Sequence, residues 1–260
     1  MSRAAYQKIR WSEAEKLYGF GNKVNFGGIP EKYLEDTFVA VFEGDLALDY
    51  LEFDGTRYFL GFADLDITGL IVNGDMTVSK YINLKNTDVG IGAHVWVKGN
   101  LSVGCIFISS MGDLSVDGKI LVNDFVIATD SAGGRLTCEG SFTCKNTLVA
   151  GFSVYLKKNI EGVVYIENPD HNFLVIDSED QPNGNFIEIL NNNDVLCVCT
   201  DELEDAMDDD DDDNDERWQE ITKKTAIFDN HLYVDADNAL KAYLDGKKIF
   251  RDLDIDSLFD

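Results

Sequence analysis

The chain has 260 residues, and its 48 aspartates and glutamates outnumber its 22 lysines and arginines, so the formal net charge is −26 at pH 7. Such a charge argues against nucleic acid or an anionic membrane as a partner and favours a basic one. The N-terminal residues lack the apolar core of a signal peptide, no window approaches the roughly 18 apolar residues of a membrane span, and the cysteine number, five, is odd. These features predict a cytoplasmic protein in a reducing compartment.

The first 64 residues are predicted to form a mixed N-terminal cap. Ser12-Glu-Ala-Glu15 has the capping-box pattern, in which the Ser hydroxyl and the Glu carboxylate satisfy backbone donors at the start of a helix. We therefore expect a short helix that runs through Leu17. Strand patterns follow at residues 38–42 and 46–53.

A pattern of apolar strand, polar residue, glycine and second strand occurs four times between residues 70 and 144. Its glycines lie 25, 19 and 22 residues apart, at Gly74, Gly99, Gly118 and Gly140. Alternate residues before each glycine are apolar, as expected for a strand with one buried face, and glycine suits a corner where a Cβ would clash. A repeat of this length built from strands predicts a β-solenoid, which we assign to residues 65–168.

Residues 169–260 are predicted to form a β-rich C-terminal cap. Strand patterns occur at residues 173–176 and 186–190, and a helix is predicted from Asn238 to Leu244, ended by Gly246. The whole chain is thus expected to be all-β apart from two short helices.

The segment from Asp201 to Glu216 holds 12 acidic residues and no basic one. Strands and helices do not easily accommodate such a density of like charge, so we expect a flexible loop. The rest of the chain still carries −14, which we interpret as acidity of the whole surface. The alternative to a role in binding is that the segment is a solvated loop that only keeps the protein soluble.

A carboxylate-lined surface attracts a Lys/Arg-rich protein and, when that protein binds nucleic acid, takes the place of the phosphates. We predict that the acidic segment and the tryptophan after it bind such a partner. Aromatic side chains elsewhere either add to this contact or lie under the caps; they are Trp96, Tyr155 and Tyr165. The predicted partner-binding residues are Glu202, Glu204, Asp205, Asp208, Asp209, Asp210, Asp211, Asp212, Asp213, Asp215, Glu216 and Trp218.

No metal ion or cofactor is predicted. Four acidic residues match ligand positions of an EF-hand loop, but Asn214 stands where that loop needs a glycine for its sharp turn. Neither cysteine pair has a zinc spacing, and we expect buried thiols instead. The pairs are Cys138 with Cys144 and Cys197 with Cys199.

The sequence contains no nucleophile elbow, phosphate loop or dinucleotide fingerprint. Residues 91–104 resemble the hexapeptide repeat of left-handed β-helix acyltransferases, in which a histidine is the general base, and His94 would be that base here. Ile91, Val97 and Val103 follow a six-residue spacing, but the next position is the polar Ser109, so the apolar repeat stops there. We predict that the chain is not an enzyme and keep an acyltransferase as a third possibility.

The motifs Asn73-Gly74-Asp75, Lys98-Gly99-Asn100 and Met111-Gly112-Asp113, each followed by a strand, make residues 65–156 similar to bacterial right-handed β-helix proteins. Two groups of proteins have a similar repeat of strand, glycine and strand. They are the bactofilin-like proteins, which stack into polymers, and acidic immunity proteins that accompany polymorphic toxins. The resemblance implies a right-handed parallel β-helix and carries over no functional residue.

Roughly 60 residues before the coils and 90 after them are expected to cap the solenoid, and capped ends oppose stacking. We therefore expect a monomeric or dimeric immunity protein that binds and neutralises a basic toxin domain such as a nuclease. The alternative is a self-assembling structural scaffold of the bactofilin type.

Overall fold

The computed structural model describes residues 6–23, 37–53, 67–85, 93–129, 133–158, 160–167, 174–176, 185–189, 236–247 and 249. Within these residues the chain forms two helices and fifteen strands. The helices are α1 (Trp11–Tyr18) and α2 (Ala236–Leu244), and a single 3-10 turn covers Phe20–Asn22. The strands are β1 (Gln7–Arg10), β2 (Phe38–Phe42), β3 (Leu46–Phe53), β4 (Ile67–Val72), β5 (Met76–Leu84), β6 (His94–Val97), β7 (Leu101–Ser109), β8 (Asp113–Val116), β9 (Ile120–Thr129), β10 (Arg135–Cys138), β11 (Phe142–Ala150), β12 (Ser153–Leu156), β13 (Ile160–Glu167), β14 (Leu174–Ile176) and β15 (Asn185–Ile189).

From β2 onward, successive strands alternate between two sheets. Sheet A has the order β1-β2-β4-β6-β8-β10-β12-β14, and sheet B has the order β15-β13-β11-β9-β7-β5-β3. All neighbours pair in parallel except β1, which pairs antiparallel with β2. Each coil contributes one strand to each sheet, so the predicted parallel β-solenoid is confirmed. The ladders extend beyond residues 65–168, from β2 at one end to β14 and β15 at the other.

Period-two alternation fills the interior of the solenoid with apolar side chains. One inner row of sheet A stacks six residues in register, each at most 1% exposed: Ala40, Leu70, Val95, Leu114, Leu136 and Val154. Each coil covers the apolar faces of its neighbours, which is why the coils are stable only as a stack.

The long strands of sheet B bend near their middle, where the register with the neighbouring strand shifts. Before the bend buried and exposed residues alternate, whereas after it β5, β7 and β9 are buried on both faces. Helix α2 covers the outer face there: the Tyr243 ring lies 6.4 Å from Tyr81, 5.9 Å from Phe107 and 5.9 Å from Phe125, centroid to centroid. Lys85 and Asp237 form an ion pair at the start of the helix. The predicted C-terminal helix is confirmed, and Gly246 follows it with φ of 73°.

The N-terminal segment covers the outer face of sheet A. Trp11 and Phe20 pack with Ala14 on a buried apolar patch formed by Val39, Val41, Ile71 and Trp96. The predicted capping box is wrong, because α1 begins at Trp11 and Ser12 lies inside the first turn. The Glu15 carboxylate accepts a hydrogen bond from the backbone N–H of Gly21 instead.

The repeated glycines form a continuous stack at one corner of the solenoid. The N–H of Gly99 donates to the carbonyl of Gly74 (3.0 Å), that of Gly118 to Gly99 (3.0 Å) and that of Gly140 to Gly118 (2.9 Å). A Cβ on Gly118 would lie 2.4 Å from the carbonyl oxygen of Gly99. None of these glycines has a positive φ, so close approach of the coils explains the repeat.

Candidate partner-binding surface

The predicted partner-binding residues, from Glu202 to Glu216 together with Trp218, lie outside the described residues. Cys197 and Cys199 also lie outside them, as does the EF-hand-like pattern. Their roles therefore stay predictions. The described part of the chain shows what surface the solenoid itself presents.

The solenoid body is nearly neutral. Of the 22 lysines and arginines 14 lie in described residues, but only 16 of the 48 aspartates and glutamates do, so these residues carry −2 of the total −26. Our expectation that the whole surface is acidic is therefore wrong for the described residues. The acidity is concentrated in the segments between and after the coils, because the strands themselves consist mainly of apolar and small polar residues.

The first described coil is an exception to this neutrality. Residues 37–53 contain Glu43, Asp45, Asp49 and Glu52 and no basic residue. The first three side chains are exposed, and Glu52 is half-buried. This coil stands at the N-terminal end of both parallel ladders, so its carboxylates form an acidic rim at that end of the solenoid.

Hydrogen bonds fix three of these four carboxylates. Glu43 Oε1 accepts from Asn73 Nδ2 at 2.9 Å and from the Tyr18 hydroxyl at 3.3 Å. Glu52 Oε2 accepts from the Tyr81 hydroxyl at 3.2 Å, and burial together with this carboxylate raises the pKa of Tyr81 to about 12. The pKa values of both tyrosines are raised, so each tyrosine remains a neutral hydrogen-bond donor at physiological pH.

Asp45 begins a ladder of side chains that runs along the glycine corner. Its Oδ1 accepts from the N–H of Asp75 (2.8 Å), Asp75 Oδ1 accepts from the N–H of Asn100 (2.7 Å), and Asn100 Oδ1 accepts from the N–H of Lys119 (3.0 Å). This ladder explains why Asp or Asn follows the glycine in the first coils. It satisfies backbone donors and gives these residues a structural role.

A buried polar row crosses the outer face of sheet A. His94, Asp113 and Arg135 lie in register on β6, β8 and β10, and both His94 and Asp113 have 0% exposure. Arg135 Nε lies 3.4 Å from Asp113 Oδ2. The His94 ring meets Trp11 edge-on at 5.4 Å. The histidine that the hexapeptide-like pattern singled out is therefore enclosed beneath the N-terminal segment.

The enclosure of His94 predicts a pH-dependent stability. Burial, and then the charge of Arg135, lower its pKa from 6.5 to about 3. Because the folded protein resists protonation at this site, its contribution to stability is complete above pH 6.5 and is lost as the pH falls toward 3. At pH 5 the loss amounts to about 2 kcal/mol. Urea denaturation at pH 7 and pH 5 will show this loss in the wild type.

The matched variant is His94→Gln, which keeps a neutral polar side chain at the position. Carboxylates titrate alike in both proteins, so the comparison isolates His94. We expect the wild type to lose about 2 kcal/mol more than His94→Gln between pH 7 and pH 5. Equal losses in the two proteins would contradict the enclosure of this ring.

The described cysteines are buried thiols, as predicted. Burial raises the pKa of Cys105 to about 12 and those of Cys138 and Cys144 to about 11, so all three are protonated and unreactive near neutral pH. Among the described side chains, no group of three His, Cys, Asp or Glu residues is placed to hold a metal ion.

The aromatic candidates differ in their accessibility. Trp96 is only 4% exposed, stacks on Phe20, and donates from Nε1 to Asp117 Oδ2 at 3.1 Å, so it supports the fold and is not a partner contact. Tyr155 is 39% exposed. Tyr50, which the sequence analysis missed, is 38% exposed and stacks on Tyr81 beside the acidic rim. The alternation set by Leu46 and Leu48 would place Tyr50 in the core, and the register shift between Leu48 and Tyr50 exposes it instead, so the strand pattern alone could not have found it.

In the part of the chain that the structure describes, no helix has the length and hydropathy needed to cross a membrane. No protein-family model matches the chain, and neither a curated protein nor a solved structure was found to be similar to it. The resemblance to bactofilin-like and immunity proteins thus extends no further than the β-solenoid itself.

Proposed function

We propose that this protein is a non-enzymatic inhibitor that captures a basic protein domain, as the immunity proteins of toxin systems do. The distribution of charge carries the proposal. The described residues, which form the solenoid, are nearly neutral, whereas the rest of the chain contains 32 acidic and only 8 basic residues. A basic toxin domain such as a nuclease would meet these carboxylates where it otherwise meets phosphates.

The described elements that flank the acidic segment in the sequence support this proposal. Residues 201–216 lie between β15, the terminal strand of sheet B, and α2, which packs on β7 and β9 of the same sheet. The two described elements that flank the acidic segment in the sequence thus both contact sheet B, and we propose that the partner binds on that flank of the solenoid.

Two further observations weigh against the alternatives. Strand β1 pairs antiparallel with β2 and covers the end of sheet A, where a second copy would stack in a bactofilin-like polymer. The burial of His94 argues against a general base that meets an acyl donor.

The proposal predicts that the gene directly upstream encodes a basic C-terminal domain and that this domain forms a salt-dependent complex with the protein. Co-purification, followed by stopped-flow association at low and high salt, measures it. We expect the six-fold variant Asp208–Asp213→Asn to associate about tenfold more slowly at low salt, because electrostatic attraction accelerates encounter.

The matched control replaces the same six aspartates with glutamate, which preserves the charge, and it should associate at the wild-type rate. The upstream domain should also lose its activity in the complex. Failure of the domain to bind would overturn the proposed function. Equal association rates for the Asn and Glu variants would remove the role of the acidic segment.

A further inference from the structure

Among the described residues, one edge strand of the solenoid has no strand on its outer side, next to the acidic rim. Strand β3 ends sheet B, and among the described residues only β5 pairs with it. At the same end of the solenoid, β1 covers the edge of sheet A. An unpaired strand edge presents a row of backbone donors and acceptors to which an extended segment can add.

The hydrogen bonds of β3 show which amides face the open side. The N–H of Leu46 donates to the carbonyl of Asp75, and the carbonyl of Phe53 accepts from the N–H of Lys85. The backbone groups of Leu46 and Phe53 therefore point toward β5. Successive residues of a parallel strand direct their backbone groups to opposite sides, and in β3 this alternation is interrupted where the register with β5 shifts between Leu48 and Tyr50. Before the shift the alternation is counted from Leu46 and after it from Phe53, so the N–H and C=O groups of Ala47 and Glu52 both point to the open edge.

The side chains leave this edge accessible. Ala47, Asp49 and Tyr50 are exposed, whereas the neighbouring residues Leu46 and Leu51 are buried in the core. A segment that added here would meet a small side chain at Ala47 and an aromatic face at Tyr50. Neither residue blocks a new strand.

Charge selects the occupant of the edge. The described residues of the coil that contains β3, residues 37–53, carry four carboxylates and no basic residue. A second copy of this chain would bring the same four carboxylates to the same edge, and like charges that face each other across paired strands are destabilising. An extended segment with lysines or arginines would instead find opposite charges on both sides of its backbone.

We propose that the open edge of β3 binds an extended, basic segment of a partner protein as an additional strand. The main-chain hydrogen bonds of Ala47 and Glu52 hold the segment, and Glu43, Asp45 and Asp49 select lysine and arginine. This inference rests on the proposed function and assigns to it a docking strand that is separate from the acidic segment.

The test titrates the full chain with a synthetic peptide of alternating lysine and threonine. Ala47→Pro removes the N–H at the open edge, while the ladder with β5 keeps its bonds, and proline is tolerated at such positions. We expect Ala47→Pro to weaken binding about tenfold, the effect of one lost hydrogen bond. The matched variant Ala47→Thr keeps the N–H and should bind like the wild type.

Two control peptides keep the test independent of the folding of any variant. The same peptide with alternate N-methylated amides should not bind the wild type, because it cannot complete the ladder. A peptide of alternating glutamate and threonine should not bind either. Equal binding of the basic and acidic peptides, or unchanged binding by Ala47→Pro, would overturn the inference. A dimer that Ala47→Pro abolishes would assign the edge to a second copy and would also overturn it.

The same variants separate this inference from the proposed function. If the upstream basic domain binds Ala47→Pro as tightly as the wild type, the edge is not its docking strand, but the function stands. If the peptide binds at the edge while the upstream domain does not bind, the edge inference stands and the proposed function fails.

Discussion

Phe107→Ala will lower the free energy of unfolding by about 4 kcal/mol, the largest effect we expect from a single side chain. Phe107 is fully buried where α2 covers sheet B. Its ring meets Tyr81 and Phe125 edge-on and is tilted against Tyr243. Truncation leaves a cavity between a strand fixed on both sides and a helix with few other anchors. Urea denaturation at neutral pH measures the loss.

Two variants serve as controls for this cavity. Phe107→Leu keeps most of the buried volume and should cost less than half as much. Leu244→Ala lies at the end of the same helix but is 59% exposed, and it should change stability by less than about 0.5 kcal/mol. A loss below about 1 kcal/mol in Phe107→Ala would mean that α2 is not held by this aromatic cluster.

Helix α2 is the described element that follows the acidic segment in the sequence. It is anchored on the solenoid where Lys85 pairs with Asp237 and where Tyr243 contacts three rings of sheet B. Loss of the Phe107 ring removes one of these contacts. Hydrogen exchange should therefore speed up in α2 of Phe107→Ala before it does so in β11.

The repeat made the fold predictable, because the alternation of apolar residues and the glycine at the corner are local signals that occur again in each coil. Helix α2 was predictable for the same reason, since Gly246 ends its pattern. The start of α1 was not: Ser12 and Glu15 satisfy the local capping rule, but the N–H of Trp11 bonds to the carbonyl of Thr37, and burial of the Trp11 ring decides where the helix begins. Both contacts involve residues far away in the sequence.

Some features of the candidate surface could also be predicted from the sequence, and others could not. An acidic segment is visible in the composition, whereas a neutral solenoid body is visible only when it is known which residues form the coils. Trp96 and Tyr50 show the limit most clearly: both are aromatic residues on strands, but the N-terminal segment covers Trp96, whereas Tyr50 stacks on Tyr81 and stays 38% exposed. The open edge of β3 is a property of strand order, which a pattern within one strand does not contain.

Gly118→Ala will destabilise the solenoid by about 3 kcal/mol, because the corner has no room for a methyl group. The added Cβ would lie 2.4 Å from the carbonyl oxygen of Gly99 and 2.7 Å from the Asn100 side chain. The first of these atoms belongs to the backbone, so relief requires a shift of the whole coil. That shift would stretch the bonds from Gly118 to Gly99 and from Gly140 to Gly118, which hold the corner together.

Gly151→Asn is the matched control, since Gly151 has φ of 65° and no atom within 4 Å of its added Cβ. Asparagine adopts this conformation more readily than most residues, so the cost should stay below about 1 kcal/mol. The two variants separate the two reasons for a glycine, close approach and backbone conformation. If Gly118→Ala unfolded at the same urea concentration as the wild type, contact between stacked corners would not be what restricts this position to glycine. The recurrence of glycine at the four corners would then need another cause, such as the side-chain ladder that begins at Asp45.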